Sequence, residues 1–574
     1  MIPKLDVLFL NLHRRYLNYE PRYGGFLGIY YLSAFLRREG YEAKGFSGTF
    51  EEGTRFIDLF CSSDKVSMIG LYCDYENVNE NIFISRHIKE RYNLPVIIGG
   101  PQASALDEKF LRESKCDAIV LGEGELSVYE LAKLFLNENG NICKIRSIVY
   151  LAEIGLVKTS ARAPIKNLDE LPFITQDCYL EPFNFYRGLN IMTGRGCPFH
   201  CAFCHEGIGK GVRFRSAENV LAEIDEYLKV WTEDELYIYF TDDTFTLNTK
   251  RIKKICVGLA ERRETYKLNF FCEGHVHTLY KNPELISLLA DSGCYRIQLG
   301  IESGNNNVLK AYGKNTTTEE ILKVVRLCCE AGIQQIFGNI ILGSAFFSEE
   351  TYETDKKFVR QLLEIGKGVV ELGIGTFWPL PNTQMTLHPS EFGIKICDKE
   401  FLTSVGDFPQ TETTNFDKIA IAEKQAELEN YIFDVMLELI KSRRIATEKI
   451  LSWFGESSKH QSIWFIALTQ LENVYAYYEM LYLGEGSESS DMEDLSEAHP
   501  LRVAPLYKHL KRLDENSVFI YGEKFSIKEL EVVTLTTGKL SVTQIAEKVS
   551  LSTPEVIKIL NRLEENFFIV YNRY

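Results

Sequence analysis

Four short apolar runs, at 5–10, 68–72, 96–98 and 118–121, are separated by segments in which apolar residues recur at helical spacing. That alternation predicts a parallel sheet covered by helices, a Rossmann-like α/β domain over residues 1–150. Ligands of such sheets bind at the carboxyl ends of the strands, so the informative loops are 11–23, 73–79, 99–104 and 122–125. Within them, Gly99-Gly100-Pro101 and Gly122-Glu123-Gly124-Glu125 let backbone approach a flat ligand closely, although each glycine pair taken alone is also an ordinary tight turn. A connector at 151–188 carries the acidic string Asn167-Leu168-Asp169-Glu170-Leu171-Pro172. From 189 to about 390, strand, loop and helix then repeat some six times, with strand candidates at 189–192, 236–240, 269–272, 295–299, 335–341 and 369–374. This predicts a partial (β/α)6 TIM-type barrel, whose functional residues belong at its strand ends.

Beyond residue 391 the pattern changes. Residues 391–484 read as mainly helical, and the aromatic face of Trp464, Phe465, Tyr475, Tyr477 and Tyr478 reads as core. The stretch 484–500 is acidic and serine-rich and predicts a flexible linker within a connecting segment at 485–514. Residues 515–574 predict three helices and a terminal strand, a winged-helix-like module.

The chain has 574 residues, more than one core accommodates, which calls for several domains. An apolar share of 45% and a charged share of 25% are those of a soluble protein. No apolar run is long enough to span a bilayer and the N-terminus lacks a signal-peptide layout, so a cytoplasmic protein without a membrane partner is expected. With 64 basic against 80 acidic residues the net charge is −16, which argues against DNA as a general partner. In the last module Lys548, Lys558 and Arg562 are offset by Glu547, Glu555, Glu564 and Glu565, favouring peptide or intramolecular contacts over DNA.

The sharpest chemistry lies in Gly194-Arg195-Gly196-Cys197-Pro198-Phe199-His200-Cys201-Ala202-Phe203-Cys204, a Cx3Cx2C triplet just after the first barrel strand. Three thiolates hold three irons of a cubane and leave the fourth open, whereas a closed electron-transfer cluster or a structural zinc site takes four ligands. Zinc stays open as an alternative, with His200 or His205 as fourth ligand. The other strand ends are polar: Thr241-Asp242-Asp243-Thr244-Phe245, Glu273-Gly274-His275 and Gly300-Ile301-Glu302-Ser303-Gly304. Asp242 and Asp243 could equally be helix caps. The remaining eleven cysteines form no secreted disulfide pattern.

The triplet, with the aromatic Phe203 before its last cysteine, resembles the signature of the radical S-adenosylmethionine (SAM) enzymes. The resemblance implies a [4Fe-4S] cluster on Cys197, Cys201 and Cys204, with SAM chelating the open iron and cleaved to a 5′-deoxyadenosyl radical. Carried over to this chain, Phe203, Asp242, Gln298, Glu302, Ser303 and Gly343 line the SAM site. Glu302 would hold the ribose or amino group, and Leu342-Gly343 would leave room for adenine. The N-terminal strings Tyr23-Gly24-Gly25, Val96-Ile97-Ile98-Gly99-Gly100-Pro101-Gln102-Ala103 and Val120-Leu121-Gly122-Glu123-Gly124-Glu125 resemble the cobalamin-binding domain that precedes many radical SAM domains. That implies cobalamin contacts from Tyr72, Cys73, Tyr75, Gly99, Gly100, Gln102, Gly122, Glu123, Gly124 and Glu125. The string at Asn11-Leu12-His13 lacks the acid and glycine of the usual DxHxxG motif, so His13 is not expected to bind cobalt, and Tyr72, Cys73, Asp74 and Tyr75 are the candidates to face it.

Together these resemblances imply a cobalamin-dependent radical SAM enzyme that methylates an unactivated carbon of a natural-product or peptide substrate. It would be supplied with electrons by an external one-electron reductant such as flavodoxin or ferredoxin. Ring rearrangement or oxidation without methyl transfer is the alternative, and a sensor acting on the winged-helix module a further one. A methylthiotransferase would need additional cluster cysteines, and Cys61, Cys73, Cys116 and Cys143 do not form such a set. The module at 515–574 is similar both to small peptide-recognition domains and to DNA-binding winged helices.

Overall fold

The computed structural model describes residues 3–13, 27–137, 140–182, 188–205, 211–397, 409–455, 462–468, 473–503, 510–514, 516–520 and 523–572. Tyr23-Gly24-Gly25 and the side chain of His13 lie outside the described residues. Contacts divide the chain into two units, one of residues 1–359 and 372–428, the other of residues 360–371 and 429–574.

The first unit opens with a seven-stranded sheet of β1 (Leu5–His13), β2 (Ala43–Thr49), β3 (Val66–Tyr72), β4 (Val96–Gly99), β5 (Ala118–Val120), β6 (Ile148–Ala152) and β7 (Gly155–Lys158), in the order β2-β1-β3-β4-β5-β6-β7. Pairing is parallel from β2 to β5 and antiparallel from β5 to β7. Strand periodicity sorts the side chains into two cores. Leu8, Leu10 and Leu12 of β1 join Ile69, Ile98 and Ile119 in one, while Val7 and Phe9 join Met68, Ile97 and Val120 in the other. A sheet buried on both faces needs apolar residues at every position, which is why its strands read as continuous runs.

Two elements depart from the sequence reading. Strand β2 has no apolar run because Gly45 and Gly48 admit large neighbours: a Cβ on Gly45 would lie 2.9 Å from the Tyr30 ring. The β6–β7 hairpin carries the sheet to Lys158, into the segment expected to be a connector from residue 151.

Next come β8 (Leu189–Ile191), a small antiparallel pair β9 (Gly194–Arg195) and β10 (Arg213–Phe214), then β11 (Glu235–Phe240), β12 (Lys267–Gly274), β13 (Cys294–Glu302), β14 (Gln335–Leu342) and β15 (Val370–Thr376). Apart from the small pair they form one sheet in sequential order, parallel from β8 to β14, with helices such as Ala217–Leu228, Thr249–Arg263 and Thr318–Glu330 between strands. This is the open, partial barrel. A further pair, β16 (Ile394–Ile396) and β17 (Thr411–Thr413), follows it.

In the second unit, helices Thr447–Gly455, Ile463–Leu468 and Val474–Tyr482 bury Trp453, Trp464, Tyr477 and Tyr478, and the Trp464 Nε1–H donates to the Val370 carbonyl at 2.8 Å. Tyr475 is exposed and outside this core. The flexible linker expected at 484–500 is corrected: Ser487 exchanges backbone hydrogen bonds with Tyr571, Arg443 pairs with Glu488 at 2.9 Å, and the Ser489 N–H donates to Glu564 at 2.7 Å. Glu488 is taken up in an ion pair, while Glu485, Asp491, Glu493, Asp494 and Glu497 are exposed. Strand β18 (His499–Arg502) pairs with the last strand, β22 (Ile569–Asn572). Between them a three-stranded sheet, β19 (Leu510–Arg512), β20 (Ser517–Ile520) and β21 (Glu523–Ser526), precedes helices Ile527–Leu535, Val542–Val549 and Thr553–Glu565. No helix among the described residues is long and apolar enough to cross a membrane.

Candidate cofactor site at two sets of strand ends

The triplet loop leaves the sheet through β9. Gly194 is required there, since a Cβ would lie 2.8 Å from the Phe214 ring and 3.1 Å from the Arg213 carbonyl oxygen. The loop is then pinned from two sides: Ala202 N–H donates to the Tyr312 carbonyl at 2.8 Å, and Met385 N–H donates to the Ala202 carbonyl at 3.0 Å. Phe203 packs edge-on against Tyr312 at 5.0 Å, so the aromatic residue of the motif serves the seating of the loop. Phe199 stacks on the His275 ring at 3.9 Å. His275 Nδ1 accepts the Thr278 N–H at the helix start, and burial first, then Lys314 and His277, lower its pKa to about 4, so the stacked ring is neutral.

The three thiols sense one another. Desolvation, then Cys201, Cys197, Asp243 and Glu302, push Cys204 up to about 12, and Cys201 is raised by desolvation, with Lys314 opposing. Thiols so placed hold their protons until positive charge arrives, and iron supplies it while taking soft sulfur ligands. Among the described residues no three His, Cys, Asp or Glu side chains converge on a single ion. Cys201 and Cys197 both act electrostatically on Cys204, which fits a cluster taking one thiolate per iron.

Around this loop stand the polar strand ends. Lys314 Nζ pairs with Glu302 at 2.7 Å, both side chains nearly buried, and Glu302 holds a left-handed φ of 62°. Gln298 donates to Glu273 at 3.2 Å. Glu273 is raised to about 8, by desolvation first and then by Asp243, Glu302 and Asp242, so it carries a proton at neutral pH. Desolvation raises Asp243 as well. A pair of opposite charges beside a neutral carboxyl suits a zwitterionic ligand with ribose hydroxyls.

Other expected SAM contacts are committed elsewhere. Asp242 accepts from the backbone and hydroxyl of Thr193 and lies 3.8 Å from Arg251, which anchors the strand leading into the triplet. Ser303 donates to Asp355 at 2.8 Å. The room expected beside Gly343 belongs to Ile421, which a Cβ there would meet at 2.9 Å, and the Gly343 carbonyl accepts from Thr411 at 2.9 Å. Lys314 escaped the sequence reading: it follows a short helix in no motif, and only the turn back onto β13 brings it to Glu302.

At the other sheet, Cys73 is one of the four residues expected to face cobalt. It is fully buried in the core, burial holds its thiol well above the usual range, and its backbone bonds to Gly99 and Gln102. Tyr72 is largely enclosed, with its carbonyl accepting from Asn77 and Asn81, and Asp74 accepts the Glu76 N–H. Tyr75 alone of the four is an exposed large hydrophobic residue, and its ring lies 6.2 Å from that of Trp378 after β15. Gly100 has φ 122° and a Cβ there would lie 2.4 Å from the Cys73 carbonyl oxygen, whereas a Cβ on Gly122 would meet nothing within 4 Å. A cavity of about 280 Å³ opens beside that loop, lined in part by Gly122, Leu126, Lys158 and Arg162. Bare backbone over open space at Gly122 fits a flat ligand. The Glu123 and Glu125 carboxylates turn to Arg213 and Arg195.

Site and fold thus define an α/β protein with a three-thiolate cluster loop on an open barrel and a second ligand site on a Rossmann-like sheet. The profile of the radical SAM superfamily matches residues 191–361, and that of the B12 binding domain matches residues 24–132. An uncharacterized methyltransferase of Pyrococcus horikoshii is 31% identical over 360 residues, covering 58% of this chain and 73% of its own. The hopanoid C-2 methylase of Rhodopseudomonas palustris is 27% identical over 371 residues, covering 61% and 66%. Among solved structures, the cobalamin-dependent SAM radical enzyme OxsB, with aqua-cobalamin and SAM bound, has the same fold with a TM-score of 0.60 at 20% identity, over 98% of this chain and 80% of that one. The chain belongs to the radical SAM superfamily, among the members that carry a B12 binding domain ahead of the radical domain. It is an enzyme whose cofactors are a [4Fe-4S] cluster, SAM and cobalamin.

Proposed function

We propose that the chain methylates an unactivated carbon of a natural-product or peptide substrate. The observation that carries this reading is that the carboxyl ends of the two sheets, one bearing the triplet and one the glycine loops, meet within one unit: His205 Nε2 lies 3.1 Å from the Pro101 carbonyl, and Asn382 donates to Ser104 at 3.4 Å. When bound, the three groups supply the electron, the deoxyadenosyl radical and the methyl carrier.

The residues of the chain do the rest. Cys197, Cys201 and Cys204 would hold three irons of the cluster and leave the fourth for SAM. Glu302 and Lys314 present opposite charges to those groups or to the ribose. Glu273 keeps a proton on its carboxyl at neutral pH and can donate one hydrogen bond in the barrel mouth. The Phe199–His275 stack closes one flank of the loop against water. Gly99, Gly100, Gln102, Gly122 and Gly124 would offer backbone to the corrin, and Tyr75 an exposed aromatic ring. The electron donor is a flavodoxin or ferredoxin, and the setting is the cytoplasm.

The test is anaerobic reconstitution with iron, sulfide, cobalamin, reductant and SAM. Methyl transfer yields both 5′-deoxyadenosine and S-adenosylhomocysteine; deoxyadenosine alone would move the reading to rearrangement or oxidation. Cys201→Ala is expected to lose the cluster's iron and its visible absorbance, and unchanged iron content would overturn the ligand assignment.

A further inference from the structure

The cluster loop is bracketed by two anchors that play no part in holding iron. Two residues before Cys197, the buried Arg195 donates from Nη2 to Glu125 Oε1 at 2.6 Å, and its Nη1 lies 3.4 Å from Glu123 Oε1. Arg213, on the paired strand, reaches the same Glu123 oxygen at 2.6 Å, and the Ile165 N–H donates to Glu123 Oε2 at 2.7 Å. Burial opposes the charge on Arg195, but Glu125 and Glu123 outweigh it and keep the guanidinium charged. One residue after Cys204, His205 sets Nδ1 2.8 Å from the Pro381 carbonyl and Nε2 3.1 Å from the Pro101 carbonyl. Glu123 and Glu125 flank Gly124, and Pro101 follows Gly100. The two anchors therefore join the cluster loop to both glycine loops of the other sheet.

A buried ion pair is a poor source of stability, because desolvation consumes most of its attraction, but its short, directional bonds fix a register. We propose that Arg195 with Glu123 and Glu125, and His205 with the Pro101 carbonyl, are positioning residues that set the spacing between the cluster loop and the glycine loops, and with it the spacing between cluster and cobalamin. This rests on the two-cofactor reading above. It accounts for acidic residues in a glycine loop and for a buried arginine two residues before the first cysteine of the triplet.

Pulsed EPR on the full chain reconstituted with iron, sulfide and hydroxocobalamin, then reduced with dithionite, tests it, since the reduced cluster and cob(II)alamin are both paramagnetic. Wild type is expected to give one narrow distance distribution. Arg195→Lys, which keeps the charge and loses the fork, and Glu125→Gln, which keeps the shape and loses the charge, are expected to load both groups and give a shifted or broadened distribution. Should Arg195→Lys fail to fold, Glu125→Gln and His205→Gln carry the test. An unchanged distribution in the loaded variants would overturn the proposal. So would a wild-type distribution in the apolar pair Arg195→Met with Glu125→Leu, because the ion pair would then be mere adhesion. Wild type that takes up the cluster but no cobalamin overturns the two-cofactor reading itself, and the proposal with it.

Discussion

Glu273 shows how position rather than residue type sets chemistry at the barrel mouth. Its proton leaves near pH 8 in the fold against an ordinary value of 4.5, because desolvation and the charges of Asp243, Glu302 and Asp242 disfavour the carboxylate. Between those pH values the folded chain holds a proton that the unfolded chain has lost, so stability falls as pH rises through this window and is best preserved below it. The effect is on the order of a few kcal/mol at most. Glu273→Gln removes it, so the melting temperature of cluster-free wild type is expected to fall relative to that variant as pH is raised from 4.5 toward 8. A constant difference across the series would sink the assignment of a protonated Glu273. The sequence marked this residue as a polar strand end, but its protonation depends on carboxylates from β11 and β13 that lie far from it along the chain.

Among the elements, the two glycine loops look alike in sequence and differ in structure. Gly100 sits in a turn closed over the Cys73 carbonyl, while Gly122 faces open space. Gly100→Ala therefore carries both a clash and backbone strain, and is expected to cost about 1–3 kcal/mol, seen as a lower melting temperature. Gly122→Ala, at φ 68°, meets no protein atom within 4 Å. It is expected to lose cobalamin affinity in a spectrophotometric titration with a smaller change in melting temperature. If the two variants behave alike, Gly122 is no more than a turn. The barrel strands were legible because buried apolar residues alternate along them, as in β12 and β13. Strand β2 was not, since its glycines yield their space to the Tyr30 and Phe46 rings.

Over the whole molecule, the second unit includes residues 360–371, drawn from between barrel elements, so no single cut separates the units. Glu371 is buried there, accepting from the Ser462 hydroxyl at 2.5 Å and the Ile463 N–H at 3.2 Å. A chain ending at residue 428 would lack the Ser462 and Ile463 donors to that carboxylate. It is expected to run as aggregate in size-exclusion chromatography, and a monodisperse, iron-loading fragment would contradict this. The sequence by itself determined the α/β architecture, the order of the two domains and the resemblance that named the cofactors, because these are written in local periodicity and in contiguous motifs. Only the tertiary structure decided which polar strand ends remain free for a ligand. Asp242, Ser303, Cys73 and the bare face of Gly343 are claimed by Thr193, Asp355, the sheet core and Ile421, and Lys314 enters from outside any motif. The physical reason is that a side chain's availability depends on partners distant in sequence. The same holds for the cysteine loop, which the sequence marked and whose fastening to the glycine loops through Arg195 and His205 only the fold brought together.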